Sequence, residues 1–422
     1  MKKILTAITI SLPIFLSVFL VRTEPTRNQD LSSVGCQVKK WDLPTTLTPK
    51  NQTSSPVLVE RLPVTCCEKD RSCLDERIYG TENEQIADKQ ALLKSINHSL
   101  RYFQTKNSVI AYQRYSVPGI TRDRVYKSLQ RFRQLLLSTN SASQLHAAME
   151  KEFVFYQSVG KDNKGTVLFT AYYEPLYSAS RTPTAEFRYP AYRLPPNLNS
   201  WSLPHPTRLE LEGADGLQGS KGKLKGLELF WFRDRLEPYI IQIQGSGRLK
   251  LTDGTETTIG YAGNVRHNYQ SLGRSLVDDG KVALEGLTMP IILDYFRKYP
   301  QDLNIYIPRD RSFVFFRETN GAAAQGSINV PVTAERSIAT DKSLMPPGAL
   351  ALIRAPFPYL NKNKQLEHRT VSRYVLDQDT GGAIKGAGRV DYFLGTGKVA
   401  GDRAGLTVSY GQLFYPLLKS SK

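Results

Sequence analysis

The sequence predicts an α+β protein, mainly β with some helices, organised around compact β-barrels. After about Thr166, short apolar or aromatic runs alternate with Gly, Pro, Asn and Asp, a texture of barrels rather than of a parallel α/β sheet. Before that point, apolar residues recur at helical spacing in three segments. The composition allows both: 422 residues, 40% hydrophobic and 23% charged, suit a globular protein of two or three domains with a sizeable core.

Taken in order, the chain opens with Lys2-Lys3 and an apolar run from Ile4 to Val21. This is the pattern of a signal peptide or signal anchor over residues 1–22, with the rest of the chain exported to the periplasm or cell envelope. Residues 23–60, rich in Pro, Thr, Ser and Asn, read as a tether. All four cysteines, Cys36, Cys66, Cys67 and Cys73, lie in the first 73 residues. In an exported chain they read as two disulfides, and strain between adjacent cysteines favours Cys36 with one of Cys66 and Cys67, and Cys73 with the other. Zinc is the alternative, without a nearby histidine or a common spacing to support it.

The first helix is expected from about Glu84 to Tyr102, through Ile86, Leu92, Leu93, Ile96 and Leu100. A second follows Thr121 through Val125, Leu129, Phe132 and Leu136, and a third follows Ser141 through Leu145, Ala148 and Phe153. Strands are expected at 167–170, 239–243, 304–307, 313–316 and 350–353, with a helical interruption between Gly260 and about Pro300.

The chain carries neither a phosphate-binding Gly-x-x-x-x-Gly-Lys-Ser/Thr loop nor a Gly-x-Gly-x-x-Gly turn from strand to helix, and no His-Glu-x-x-His. Gly245-Ser246-Gly247 is only half of a nucleophile elbow. No cofactor or metal is called for, and carboxylates remain as acids and bases. Asp379 and Asp391 stand twelve residues apart, joined by a segment with Gly381, Gly382, Gly386 and Gly388. Such a connection brings two strand ends and their carboxylates towards one cleft. A neighbouring carboxylate or burial raises an acid's pKa, which glycosidic cleavage needs. On spacing alone, however, an Asp in a Gly-rich loop is more often a turn former, and a carbohydrate enzyme is one reading among several.

The motifs resemble the membrane-bound lytic murein transglycosylase A family. The resembling stretches are Phe169-Thr170-Ala171-Tyr172-Tyr173-Glu174-Pro175 with Ser180-Arg181 and Tyr189-Pro190-Ala191-Tyr192, then Ile243-Gln244-Gly245-Ser246-Gly247 with Asp253-Gly254 and Gly260-Tyr261-Ala262-Gly263. They continue with Phe313-Val314-Phe315-Phe316-Arg317-Glu318, Arg336-Ser337-Ile338-Ala339-Thr340-Asp341, and the segment Asp379 to Asp391 running on to Gly397. The resemblance implies a double-psi β-barrel catalytic domain with a C-terminal three-aspartate (3D) segment and a second, inserted β-rich domain. The resembling stretches span about residues 165–415, and with them the chain divides into a tether with four cysteines at 23–80, which falls outside the resemblance, helices and the first part of the barrel at 81–177, the insert at 178–312 and the rest of the barrel at 313–418.

It also implies the activity: cleavage of the β-1,4 bond between N-acetylmuramic acid and N-acetylglucosamine in peptidoglycan glycan strands, leaving 1,6-anhydromuramyl ends. The family's catalytic aspartate falls on Asp391, with Asp379 and Asp341 as supporting aspartates. Thr170, Tyr172, Gln244, Ser246 and Lys385 are candidates to line the substrate groove. The alternative is a non-catalytic polysaccharide-binding, wall-loosening protein on the same barrel. The net charge of +17 suits polyanionic partners, but export argues against nucleic acid. No cysteine stands in residues 1–35, so the family's lipid anchor has no counterpart and the apolar N-terminus is the candidate membrane anchor. Asn264-Val265-Arg266-His267 departs from the glycine-like turn expected there. Protein partners stay open.

Overall fold

Hydroxyl caps start the N-terminal helices where the chain offers them. The computed structural model describes residues 56–61, 71–80 and 86–420, all in one unit, Thr53–Lys422. The apolar run at 4–21 and Cys36, Cys66 and Cys67 lie outside the described residues, whereas Cys73 is disulfide-bonded. No helix among the described residues is long and apolar enough to cross a membrane.

Strand β1 (Leu58–Arg61) is followed by α1 (Lys89–Tyr102), α2 (Lys106–Gln113), α3 (Arg122–Ser138) and α4 (Ala142–Glu152). Thr121 and Ser141 are the caps of α3 and α4, accepting from the N–H groups of Arg124 and Gln144 at 3.2 Å each. The apolar stripes of α1 and α3, among them Leu92, Ile96, Leu129, Phe132 and Leu136, are buried in the largest core. α1 starts later than its spacing suggests: Ile86 is 77% exposed and precedes it. Phe153 ends the α4 pattern by opening β2 (Phe153–Ser158), which pairs antiparallel with β1. The last residues of the expected tether are thus part of a sheet.

After β3 (Val167–Glu174) the chain enters a second lobe. Here β4 (Leu176–Ala179), β7 (Ser246–Leu251), β8 (Glu256–Asn264) and β9 (Val314–Glu318) form one sheet in that order, while β5 (Tyr189–Tyr192) pairs with β6 (Glu228–Phe232). The run 239–243 is not a strand but part of helix α6 (Leu236–Gln244), which Gly245 ends in the left-handed conformation at φ 82°. The run 304–307 is likewise helical, in α9 (Leu303–Tyr306) and the tight turn after it. Short apolar runs have no period that separates strand from helix. Both runs carry apolar pairs three and four apart, such as Leu236, Tyr239, Ile240 and Ile243, or Leu303, Tyr306 and Ile307. All of these but Ile240 meet each other and α7 (Leu272–Asp278) and α8 (Met289–Lys298) in one apolar cluster. The two helices α7 and α8 fill the interruption expected after Gly260. A short α5 (Arg208–Glu212) completes the lobe.

The chain then returns through β10 (Ser337–Ala339), β11 (Leu350–Leu360), β12 (Leu366–Asp379), β13 (Arg389–Thr396), α10 (Lys398–Leu406) and β14 (Ser409–Leu418). Strands β14, β11, β12, β10, β13 and β3 pair in a ring, closed by β3 against β14. Two pairings are parallel, β10 with β12 and β13 with β3, and the other four are antiparallel. This closed six-stranded barrel, with β1 and β2 continuing from β14, meets the expected double-psi architecture. Its interior holds Phe169, Phe357, Val390, Tyr392 and Leu413, with the Phe357 and Tyr392 rings 4.9 Å apart. Helix α10 lies over β3. A side chain at Gly401 would meet the Tyr173 ring at 2.8 Å, which explains a glycine inside that helix.

Candidate active site

Alternation along β13 sends Val390 and Tyr392 into the barrel core and leaves Asp391 on the other face. Register then places its neighbours. Thr170 on β3 stands opposite Asp391, Ala339 on β10 stands opposite Asp391 from the other side, and Asp379 on β12 stands opposite Ala339. Directly paired residues point to one face, so Thr170, Asp391, Ala339 and Asp379 form a row across four strands. The two carboxylates are two strand spacings apart, roughly 10 Å between backbones, with Ala339 on the strand between them.

The row is wired by side chains. Thr170 donates its hydroxyl to Asp391 Oδ1 at 2.7 Å. Tyr172, two residues along β3, donates to Asp379 Oδ2 at 2.8 Å, its ring resting 5.1 Å from that of Phe393. Asp379 Oδ1 accepts the backbone N–H groups of Ser327 (2.9 Å) and Thr380 (2.8 Å). Both oxygens of Asp379 are therefore engaged, whereas Asp391 has one bonded oxygen and one without a partner among the described residues.

Electrostatics separates the three aspartates. Burial raises Asp391 to about 6, opposed by the Thr170 hydrogen bond and Arg389 and assisted by the charge of Asp379. Burial also holds Asp379 above the ordinary carboxylate value, against the hydrogen bonds from Tyr172, Thr380 and Ser327. Asp341 goes the other way. Burial would raise it, but the Ser343 hydroxyl at 2.6 Å, the Gly386 and Ser343 N–H groups, and Lys385 together hold it below the usual range. Asp341 is thus a charged clasp on the loop between β12 and β13. Gly386, at φ 84°, supplies the N–H that the clasp holds.

The remaining candidates lie farther from the acid. Lys385 is exposed on the same loop. Gln244 accepts the Tyr173 N–H at 3.0 Å and so ties the end of α6 to β3. Ser246 is buried at the start of β7, opposite Gly260, and no hydrogen bond joins it to the aspartates. The structure therefore brings together Asp391, Asp379, Thr170 and Tyr172, places Lys385 on the loop between β12 and β13 and Asp341 after β10, bonded to that loop, and puts Gln244 and Ser246 at the lobe junction.

Two groups escaped the sequence reading. Asp377, two residues before Asp379, is fully buried with Lys342 as its ion-pair partner, and accepts from Thr340 and Tyr415 at 2.7 Å each. It anchors the strand ends beneath the row, and its spacing from Asp379 was the available signal. Glu174 ends β3 and accepts from Thr396 at 2.8 Å, with Arg248 at 3.5 Å, while its Oε1 has no hydrogen-bond partner among the described residues. Nothing in its Tyr-Tyr-Glu-Pro context marks it apart from a strand end.

Comparison with known proteins accords with this geometry. The MltA specific insert domain matches residues 168–317 and the 3D domain matches residues 336–417. Membrane-bound lytic murein transglycosylase A of Escherichia coli K12 is 33% identical over 262 residues, covering 61% of this chain and 68% of the relative. A membrane-bound lytic murein transglycosylase from Agrobacterium tumefaciens superposes with a TM-score of 0.62 at 26% identity, over 78% of this chain and 93% of that one. The E. coli MltA structure with bound chitohexaose gives 0.59 at 28% identity, over 78% and 90% of the two chains. Extended coverage by relatives at this identity, together with the row of residues across the barrel, shows that the chain belongs to the membrane-bound lytic murein transglycosylase A family.

Proposed function

We propose that the protein is a lytic transglycosylase in which Asp391 alone serves as acid and then as base. A carboxyl group with a pKa of about 6 still carries its proton in part of the population near neutrality. It can give that proton to the glycosidic oxygen as the bond from the muramyl anomeric carbon breaks, releasing the N-acetylglucosamine 4-hydroxyl. The resulting carboxylate then takes the proton of the muramyl 6-hydroxyl as O6 bonds to the anomeric carbon. One bond breaks, one forms, the proton returns to Asp391, and no water is consumed.

The observation that carries this reading is the contrast between the two carboxylates of the row. Asp379 has both oxygens committed to three protein donors, so it is held in place as a support for Asp391 rather than free as a base to activate water. An inverting hydrolase would need such a base. Thr170 orients Asp391, Tyr172 orients Asp379, and the Asp341 clasp holds the loop on which Lys385 sits. The relative bound to chitohexaose supports a glycan as the ligand of this face. The basic start and apolar run at 1–22 support export, with that segment as membrane anchor, and fractionation of cell envelopes tests it.

Digestion of purified sacculi tests the reaction by mass spectrometry. The expected products are 1,6-anhydromuropeptides. Reducing ends would mean hydrolysis, and an absence of products would mean a binding protein.

A further inference from the structure

A second feature lies beside the catalytic loop, on the segment whose sequence departs from a glycine-like turn. Between β8 and α7 the chain lines an open cavity of about 560 Å³ with Arg266, His267 and Tyr269, and Arg274 of α7 and Arg311 from the stretch before β9 join them. No acidic side chain lines it. Neither Arg266 nor Arg311 has a hydrogen-bonded or ion-paired side-chain partner among the described residues, whereas Arg274 is held by Asp278 at 2.7 Å. Glu210, whose carboxylate feels the charge of Arg311, already binds the N–H and hydroxyl of Thr207 at 2.7 Å each.

The cavity wall is fixed rather than loose. Asp310 accepts the Gln270 N–H at 3.2 Å and the Ser312 hydroxyl at 2.7 Å, and the Arg266 N–H donates to His205 Nδ1 at 3.2 Å. The cavity also adjoins the reaction site: a Cβ placed on Gly382, in the loop between Asp379 and Asp391, would lie 3.8 Å from Cβ of Tyr269. A muramyl residue cleaved at Asp391 carries a lactyl-linked peptide, and the loop that ends at Asp391 is the one that touches this cavity through Gly382 and Tyr269. The free carboxylates of that peptide are planar anions that a guanidinium can hold through two parallel hydrogen bonds.

We infer that the Arg266–Arg311 cavity is a binding site for the carboxylates of the peptide stem, so that the enzyme reads the stem as well as the sugar. The inference rests on the proposed transglycosylase reading for where the muramyl residue sits. Guanidinium groups without a side-chain partner among the described residues give up no ion pair when they accept such a ligand. The site discriminates stem-bearing strands from bare ones without taking part in bond cleavage.

The test measures binding of the full chain carrying Asp391→Asn, which leaves substrates uncut, to glycan fragments of one length in three forms. These carry intact stems, stems with amidated carboxylates, or no stems after amidase treatment. Adding Arg266→Ala and Arg311→Ala together should weaken binding of intact-stem fragments about tenfold, and leave the other two forms within about twofold. Equal weakening on all three forms, or none on any, overturns the inference. If the alanine pair fails to fold, Arg266→Gln and Arg311→Gln singly carry the same comparison. Cleavage by the unmodified chain is followed in parallel. Missing anhydro ends with stem-dependent binding intact would defeat the proposed reaction and leave this site standing.

Discussion

At Asp391 one hydroxyl and one neighbouring charge pull in opposite directions, and burial decides the outcome. The carboxyl is raised to about 6 even though Thr170 donates to its ionised form. In the proposed reaction the protonated carboxyl is the acid, so kcat/KM should be flat below about pH 6 and fall tenfold per pH unit above it. Thr170→Val removes the donor that favours the charged form and should move this descending limb to higher pH, by up to about one unit. A limb that stays in place or moves to lower pH would show that Thr170 does not bond the proposed acid. Asp391 was legible as half of an acid pair from its spacing to Asp379, but the order of the two was not. That order depends on Ser327, Thr340 and Tyr172, brought to Asp379 or its strand end from far along the chain.

Individual elements show where local sequence suffices and where packing overrides it. The caps Thr121 and Ser141 and the stripes of α3 and α4 are local signals, and the structure follows them. The runs at 239–243 and 304–307 had no local signal strong enough to separate strand from helix, and their mutual packing with α7 and α8 made them helices. The stretch 71–80 falls in the expected four-cysteine tether, yet it contributes to a buried ion network on the barrel. Arg336, fully buried, binds Asp75 and Asp88 at 2.5 Å each, and Asp75 also accepts the Tyr374 N–H of β12 at 2.8 Å. Asp75→Ala leaves that guanidinium short of charge compensation and should cost about 3–5 kcal/mol in urea unfolding. A loss below about 1 kcal/mol would mean that the segment merely rests on the barrel.

Across the whole molecule, the order of motifs along the chain carried more information than any composition. The barrel is assembled from segments on both sides of the second lobe, so β3 meets β13 although more than two hundred residues separate Thr170 from Asp391. No periodicity predicts such a pairing. The resemblance supplied it, and register then explained why four named residues share one face. The charge of +17 was uninformative as a total but acquires meaning where Arg266 and Arg311 stand beside the catalytic loop. The junction of the lobes remained invisible beforehand because it includes contacts between side chains far apart in sequence, such as Gln244 to the Tyr173 N–H and Arg248 to Glu174.

The central claim is that a single carboxyl group performs both proton transfers, and turnover of Asp391→Asn against Asp379→Asn on sacculi tests it most directly. Asp391→Asn should lower the release of 1,6-anhydro ends by about 10³-fold or more while binding to sacculi persists. The same variant should be more stable than the parent at pH 7 by about 1–3 kcal/mol, because the native carboxyl keeps its proton to higher pH than the unfolded chain and loses stability as pH rises through about 6. Asp379→Asn should retain measurable turnover, since that group supports the proton without transferring it. Undiminished turnover in Asp391→Asn, or abolition by Asp379→Asn alone, would contradict the account.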